Sequence, residues 1–155
     1  MNKTEILQPL IDEVSRQLNS ALSAAQSTYD DATNEENKAE NKYDTRSLEA
    51  SYLAGAQAER VKDLKDTLTY VSQIQLKKFS ENDPIALTAL VELSSGNKNT
   101  WVLLLAKGGG QSVFFKNKSI QVITPESPIG KTIVGKRKND DFSLNQKEYI
   151  IESVY

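Results

Sequence analysis

The residues best suited to chemistry in this sequence are carboxylates, which cluster between Asp30 and Asp44. Six of the 15 residues in this segment are Asp or Glu. Carboxylate oxygens bind hard cations such as magnesium, so the segment could carry metal ligands into a site. A charged segment is also typical of a solvated turn that connects two helices. The composition of the segment leaves both interpretations open.

Residue types that are missing limit the chemistry further. The chain has no cysteine, which excludes disulfides, thiolate zinc sites and cysteine nucleophiles. It also has no histidine, which excludes Ser-His-Asp triads, the HExxH zinc motif and the usual general base near neutral pH. With a net charge of −2 and a pI of about 5.3, the chain has no general attraction to nucleic-acid phosphates. We therefore do not expect a self-sufficient hydrolase.

The first half of the chain predicts two helices that would carry the acidic segment between them. From Thr4 to about Lys78 the sequence is rich in Ala, Gln, Glu, Lys and Leu, and its only glycine is Gly55. Two stripes of apolar or small residues recur at helical spacing, the first at Leu7, Ile11, Val14, Leu18, Ala21, Ala25, Thr28 and Ala32, the second at Ala54, Ala58, Val61, Leu64, Leu68 and Val71.

The two stripes can be paired as the facing sides of an antiparallel hairpin. Pairing Leu7 with Val71 and continuing inward to Ala25 with Ala54 gives residue numbers that sum to 78 or 79 throughout. The chain should therefore fold back near Ala39. We predict an antiparallel coiled-coil hairpin over residues 1–79, with its tip near residues 36–44.

A second domain, over residues 80–155, should be rich in strands. Pro84 ends the helical pattern because it restricts the preceding residue and lacks a backbone donor. Ser127 can cap a short helix, with Pro128 at its first position and Gly135 at its end. Apolar runs predict strands at 85–93, 101–106, 112–115, 120–123 and 148–154. Together the two halves predict an α+β protein.

Nothing in the sequence predicts export or membrane insertion. The N-terminal residues alternate between polar and apolar types, which is unlike the apolar core of a signal peptide. No apolar run approaches the roughly 20 residues that span a bilayer. We expect a soluble, cytoplasmic protein that does not contact a membrane.

Motifs in both halves resemble the Gre family of bacterial transcript-cleavage factors. Glu40 and Asn41 followed by Tyr43, at the end of a helical hairpin, resemble the tip of these factors. The sequence at 127–130, then 133–136, and the closing 148–155 resemble their C-terminal domain. The similarities occur in the same order as in the family and extend over both halves of the chain.

The resemblance implies a fold and a partner. In the Gre family, an FKBP-like C-terminal domain docks at the rim of the secondary channel of RNA polymerase, and the hairpin reaches through the channel to the active site. Two acids at the tip help to hold a second magnesium ion, and the polymerase then cleaves its own backtracked RNA. Such a factor is not itself an enzyme, binds no cofactor alone, contacts nascent RNA only indirectly and is expected to be a monomer.

The resemblance also implies roles for individual residues. Glu40 matches the second tip acid and is the expected magnesium ligand, whereas the position of the first acid holds Asn37. An amide oxygen brings no negative charge, so the metal site should be weaker unless Glu36 or Asp44 compensates. In the C-terminal domain, the acidic-Ser-Pro sequence that contacts the polymerase rim matches Glu126, Ser127 and Pro128. The same three residues also fit a simple helix cap.

Other functions remain open at this point. The chain could occupy the channel as a regulator without stimulating cleavage. It could also be a generic coiled-coil adaptor, or an FKBP-like peptidyl-prolyl isomerase. An isomerase needs an apolar pocket lined by aromatic rings, and the sequence scatters its candidates over Trp101, Phe114, Phe115 and Phe142.

Overall fold

The computed structural model describes residues 3–33, 46–80 and 82–155. A short 3-10 helix, Lys3–Ile6, leads into helix α1, Leu7–Thr33, and helix α2 follows at Arg46–Gln73. The described chain separates into two compact units: Met1–Asp12 with Tyr70–Tyr155, and Glu13–Thr69. The first unit therefore combines the start of α1 and the end of α2 with the strands. The predicted boundary after residue 79 lies instead where the sequence pattern changes from helix to strand. A domain division at that boundary stays a prediction.

Helix α1 follows the predicted apolar stripe from Val14 onward, whereas near its start the fully buried side chain is Leu10, one position before Ile11. Along the described part of the first stripe, Val14 and Ala21 are buried and the side chains of Leu7, Ile11 and Leu18 are half-buried. Pro9 lies in the first turn of α1, where a backbone N–H has no partner inside the helix, so the proline does not interrupt it. None of the described helices is both long enough and apolar enough to cross a membrane.

Helix α2 departs from its predicted pattern at two places. Ala58 is exposed and the neighbouring Gln57 is half-buried instead. At this point the partly buried face of the helix is therefore shifted by one residue from the predicted stripe. The helix also ends at Gln73 rather than near Lys78. Beyond that point Ile74 and Leu76 are half-buried and alternate with exposed neighbours, which is the period of extended chain.

A six-stranded sheet with one short helix forms the rest of the chain. Its spatial order is β3-β4-β2-β1-β6-β5, and all neighbours are antiparallel except β2 and β4. The strands and helix α3 have the bounds β1 Leu90–Ser95, β2 Lys98–Leu104, β3 Ser112–Phe115, β4 Lys118–Ile123, α3 Pro128–Ile133, β5 Asp141–Leu144 and β6 Lys147–Val154. The predicted α+β class is confirmed.

The first predicted strand is shorter than its sequence pattern suggests. β1 begins at Leu90, whereas alternation begins at Ile85. Thr88 adopts a φ of 75° and therefore interrupts extended pairing. Ile85 is nevertheless buried in the core, and its backbone N–H donates to Lys136 O while its carbonyl accepts from Gly135 N, both at 2.8 Å.

The sheet is buried on both faces over its central strands. In β2, Val102, Leu103 and Leu104 are all fully buried although successive side chains point to opposite faces. One face contributes to a core that includes Ile133 of α3. Because both faces are buried, the apolar residues of β2 form a continuous run. A strand with only one buried face would instead alternate between apolar and polar residues.

Candidate functional site

The predicted docking residues form the turn that connects β4 to α3. Ser127 has φ −64° and ψ 154°, which is the extended conformation of a helix N-cap. Its Oγ accepts a hydrogen bond from Gly130 N at 3.1 Å and donates one to Thr124 O at 2.7 Å. Its backbone N–H also donates to Thr124 O, at 3.0 Å. The predicted cap is confirmed, with Pro128 at the first helical position.

Gly130 allows this turn to pack closely against its own helix. A Cβ atom added at Gly130 would lie 1.9 Å from Thr124 O and 2.9 Å from Ser127 Oγ. Every residue other than glycine carries a Cβ, so the position requires glycine while the cap is intact. At the other end of α3, Gly135 has a φ of +82°, which favours glycine and turns the chain out of the helix.

The turn presents two of its three predicted residues to solvent. Glu126 and Pro128 are exposed, whereas Ser127 is half-buried. The hydroxyl of Ser127 has a single proton, and that proton is used in the bond to Thr124 O. A partner would therefore meet the carboxylate of Glu126 and the ring of Pro128 on a backbone that the cap holds.

The predicted tip residues Glu36, Asn37, Glu40 and Asp44 lie outside the described residues. Their roles stay predictions. Within the described ranges, no group of three or more His, Cys, Asp or Glu side chains is placed to hold a metal ion.

Lys3 is a charged residue that the sequence did not single out. Its ammonium group is buried and donates to Thr88 O at 2.7 Å and Tyr155 O at 2.8 Å. The same nitrogen lies 4.5 Å from the centre of the Phe79 ring, a cation–π distance. Burial lowers the pKa of Lys3 from 10.5 to about 8, because the charged form loses hydration. No local pattern marks such a lysine, since its partners are about 85 and 152 residues away in sequence.

A cavity of about 450 Å³ lies between residues of both helices in the unit Glu13–Thr69. It is lined by Arg16, Gln17, Ser20, Ala21, Ala24, Gln57 and Arg60. Arg16 donates to both carboxylate oxygens of Glu13, at 2.7 and 3.0 Å. These bonds, with one from Gln17, hold the pKa of Glu13 down to about 2. The guanidinium of Arg16 is therefore already engaged by a carboxylate.

Comparison with known proteins gives matches only among solved structures. No protein-family model matches the chain, and no curated protein matches it. The GreA factor homolog 1 (Gfh1) protein of Thermus thermophilus shares 18% identity over 94% of both chains, with a TM-score of 0.38. Thermus aquaticus Gfh1 shares 19% identity over 93% of this chain and 92% of its own, with a TM-score of 0.39.

A third structure, of the transcription factor Gfh1, shares 17% identity over 95% of this chain and 94% of its own, with a TM-score of 0.39. These structural neighbours are Gre-factor homologues, the family that the sequence motifs resemble.

Proposed function

We propose that the chain is a Gre-type accessory factor that docks on bacterial RNA polymerase through the turn at Glu126–Pro128. The observation that carries the proposal is the geometry of this turn. Its sequence resembles the docking contact of the family, and the Ser127 cap fixes it while Glu126 and Pro128 stay exposed. Because the cap holds the backbone of the turn in one conformation, binding costs little backbone conformational entropy.

The proposal includes the finer architecture of the family. In this proposed architecture, α1 and α2 form an antiparallel coiled-coil hairpin, and residues 80–155 form an FKBP-like docking domain. The two helices have nearly equal lengths of 27 and 28 residues, and residues of both line one cavity, which supports the hairpin. The six-stranded sheet with the short helix α3 supports the docking domain.

The proposed role of the tip is to supply oxygen ligands to the polymerase active site. Glu40 would help to hold a magnesium ion there, and Asn37 would make the site weaker than one with two acids. The factor then acts in the cytoplasm as a monomer, contacts nascent RNA only indirectly and binds no cofactor alone. The bond-breaking chemistry belongs to the polymerase, so the factor itself is not an enzyme.

Three of the aromatic residues considered for an isomerase pocket, Trp101, Phe114 and Phe142, have different surroundings in the structure. Buried Trp101 stacks on Tyr155, with ring centres 5.9 Å apart, while buried Phe142 stacks on Tyr149 at 5.1 Å. Phe114 is 72% exposed on the edge strand β3. In the part of the chain that the structure describes, these three rings are therefore either stacked on a tyrosine or exposed, which does not favour an isomerase pocket.

The experiment that tests the proposal adds the protein to purified backtracked elongation complexes and measures the length of the RNA 3′ ends. We expect shortened RNA with the wild type and none with Glu40→Ala, which should still bind. Asn37→Asp should lower the magnesium concentration needed for cleavage, because a carboxylate binds this cation better than an amide. Glu126→Lys should weaken binding while the helical circular dichroism is unchanged.

The matched control is Glu59→Lys, which makes the same charge change at an exposed position of α2. Equal binding by Glu126→Lys and Glu59→Lys would remove the docking assignment. If the wild type does not cleave but competes with an authentic cleavage factor, it is a channel-occupying regulator. A wild type that neither cleaves nor competes would refute the proposal.

A further inference from the structure

Another cavity lies on the sheet, at the end where β1 turns into β2. It has a volume of about 420 Å³ and is lined by Ser95, Gly96, Lys98, Thr100, Lys147 and Tyr149. Strands β2 and β4 run parallel, and the turn at Glu126–Pro128 follows the end of β4. Because the cavity lies at the start of β2, it is at the opposite end of the sheet from that turn. The cavity is therefore a separate feature from the proposed docking contact.

The side chains that line this cavity share one face of the sheet. Successive side chains of a strand point to opposite faces, so Lys98 and Thr100 lie on the same face as the core residue Val102. Tyr149 packs against the same core. Lys147 lies two residues before Tyr149 in β6 and therefore shares its face. Two lysines from different strands thus lie on the face of the sheet that also carries the core.

The carboxylates of the same strands lie on the other face. Glu148 is the direct neighbour of Lys147 in β6, so its side chain points away from the cavity. Asn99, the direct neighbour of Lys98, donates from its Nδ2 to the carboxylate of Glu92 at 3.0 Å, again on the other face. Within the described part of the chain, the cavity is lined by two lysines and no acid. The cavity is therefore locally positive although the chain has a net charge of −2.

We infer that the cavity binds a small molecule with two adjacent phosphate groups, such as a nucleoside diphosphate. Each lysine ammonium offers three donors, and Ser95 and Thr100 add hydroxyl groups, all of which suit phosphate oxygens. A volume of about 420 Å³ is larger than one carboxylate or phosphate requires and lies in the range of small-molecule sites. The ring of Tyr149, which stacks on Phe142 at 5.1 Å, supplies aromatic surface for the base. This inference goes beyond the proposed function and does not depend on it.

Calorimetric titration of the full chain with ADP tests the inference, without magnesium, because that cation would compete with the lysines for the phosphates. The cavity variant is Lys98→Met with Lys147→Met, which removes two charges at exposed positions. The matched control is Lys62→Met with Lys65→Met, which makes the same charge change at exposed positions of α2. The cavity variant should bind ADP at least about tenfold more weakly than the wild type, equivalent to about 1.4 kcal/mol. The control should bind like the wild type.

Two further ligands separate the parts of the nucleotide. Inorganic diphosphate should bind more weakly than ADP, since it lacks the base, and adenosine should not bind, since it lacks the phosphates. Circular dichroism and the fluorescence of Trp101 report whether each variant is folded. If the methionine variant unfolds, Lys98→Gln with Lys147→Gln replaces it, and the same weakening is expected.

Three results would overturn the inference. The first is a wild type that binds neither ADP nor diphosphate at millimolar concentration. The second is a cavity variant that binds ADP as tightly as the Lys62 and Lys65 control, which would assign any binding to the overall charge. The third is a short single-stranded RNA or a glutamate-rich peptide that binds where ADP does not, which would assign the cavity to a macromolecule. Each of these results leaves the proposed docking at Glu126–Pro128 standing.

Discussion

Replacing Gly130 by alanine should unfold the turn at Glu126–Pro128, because the added methyl group has no space. Its Cβ would lie 1.9 Å from Thr124 O, far inside the contact distance of carbon and oxygen. That oxygen belongs to the backbone and accepts from both Ser127 N and Ser127 Oγ. It cannot move away while these bonds persist. The methyl group and the cap therefore exclude one another.

The expected loss of stability follows from these two effects. Losing an N-cap costs about 1 kcal/mol, and forcing an extra methyl group into a packed site costs roughly 1–3 kcal/mol. Their sum is about 2–4 kcal/mol. For a unit of about 100 residues, each kcal/mol lowers Tm by roughly 4–8 °C. Gly130→Ala should therefore lower Tm by roughly 8–32 °C and weaken the proposed binding to polymerase with it.

Thermal and urea unfolding can be followed by the fluorescence of Trp101, the single tryptophan of the chain, which is buried in β2. Gly55→Ala is the matched control, because the same methyl group added in α2 meets nothing within 4 Å. It should stabilise the helix by about 0.5–1 kcal/mol. If Gly130→Ala also leaves Tm unchanged or raises it, the close approach of Thr124 O to α3 is wrong.

Two further predictions concern a hydrogen bond and a buried charge. Ser127→Ala should lower the free energy of unfolding by about 1 kcal/mol, measured in urea, and Ser127→Thr, which keeps a capping hydroxyl, should recover most of it; no loss in Ser127→Ala would contradict the cap. The pKa of Lys3 is lowered to about 8 in the folded chain, whereas the lysine of the unfolded chain titrates near 10.5. The folded chain therefore loses this proton at a lower pH than the unfolded chain. The unfolding free energy of the wild type relative to Lys3→Met should therefore rise by roughly 1 kcal/mol per pH unit between those values, and a flat difference would show that the folded ammonium keeps its proton.

Features set by local sequence were predictable. The Ser127 cap depends on a hydroxyl followed directly by a proline, and both act on their immediate neighbours. The first stripe in α1 was predictable for a similar reason, because one face of a helix recurs at a fixed spacing. Burial of Val14 and Ala21 follows that spacing.

Features that depend on unusual turns or distant partners were not predictable. Strand β5 was missed because its hairpin to β6 turns through Asn145 and Gln146, which both have positive φ although neither is glycine. The end of α2 at Gln73 was missed because the following residues pair with distant chain: Lys77 N donates to Thr88 Oγ1 at 3.0 Å. The role of Lys3 is likewise set by carbonyls that are far away in sequence.

The hydrogen bonds of the turn also indicate which of its residues would contact the proposed partner directly and which would only hold the turn in place. A serine hydroxyl donates once, and Ser127 uses this proton to bind Thr124 O while accepting from Gly130 N. A partner that took the proton would have to break the bond that holds the turn, and the free energy lost would be comparable to that of the new hydrogen bond. Ser127 is therefore a positioning residue, and any effect of its substitution on binding acts through the placement of Glu126 and Pro128. This is why Glu126→Lys, which leaves every bond of the cap in place, separates binding from folding, whereas substitution of Ser127 alters both.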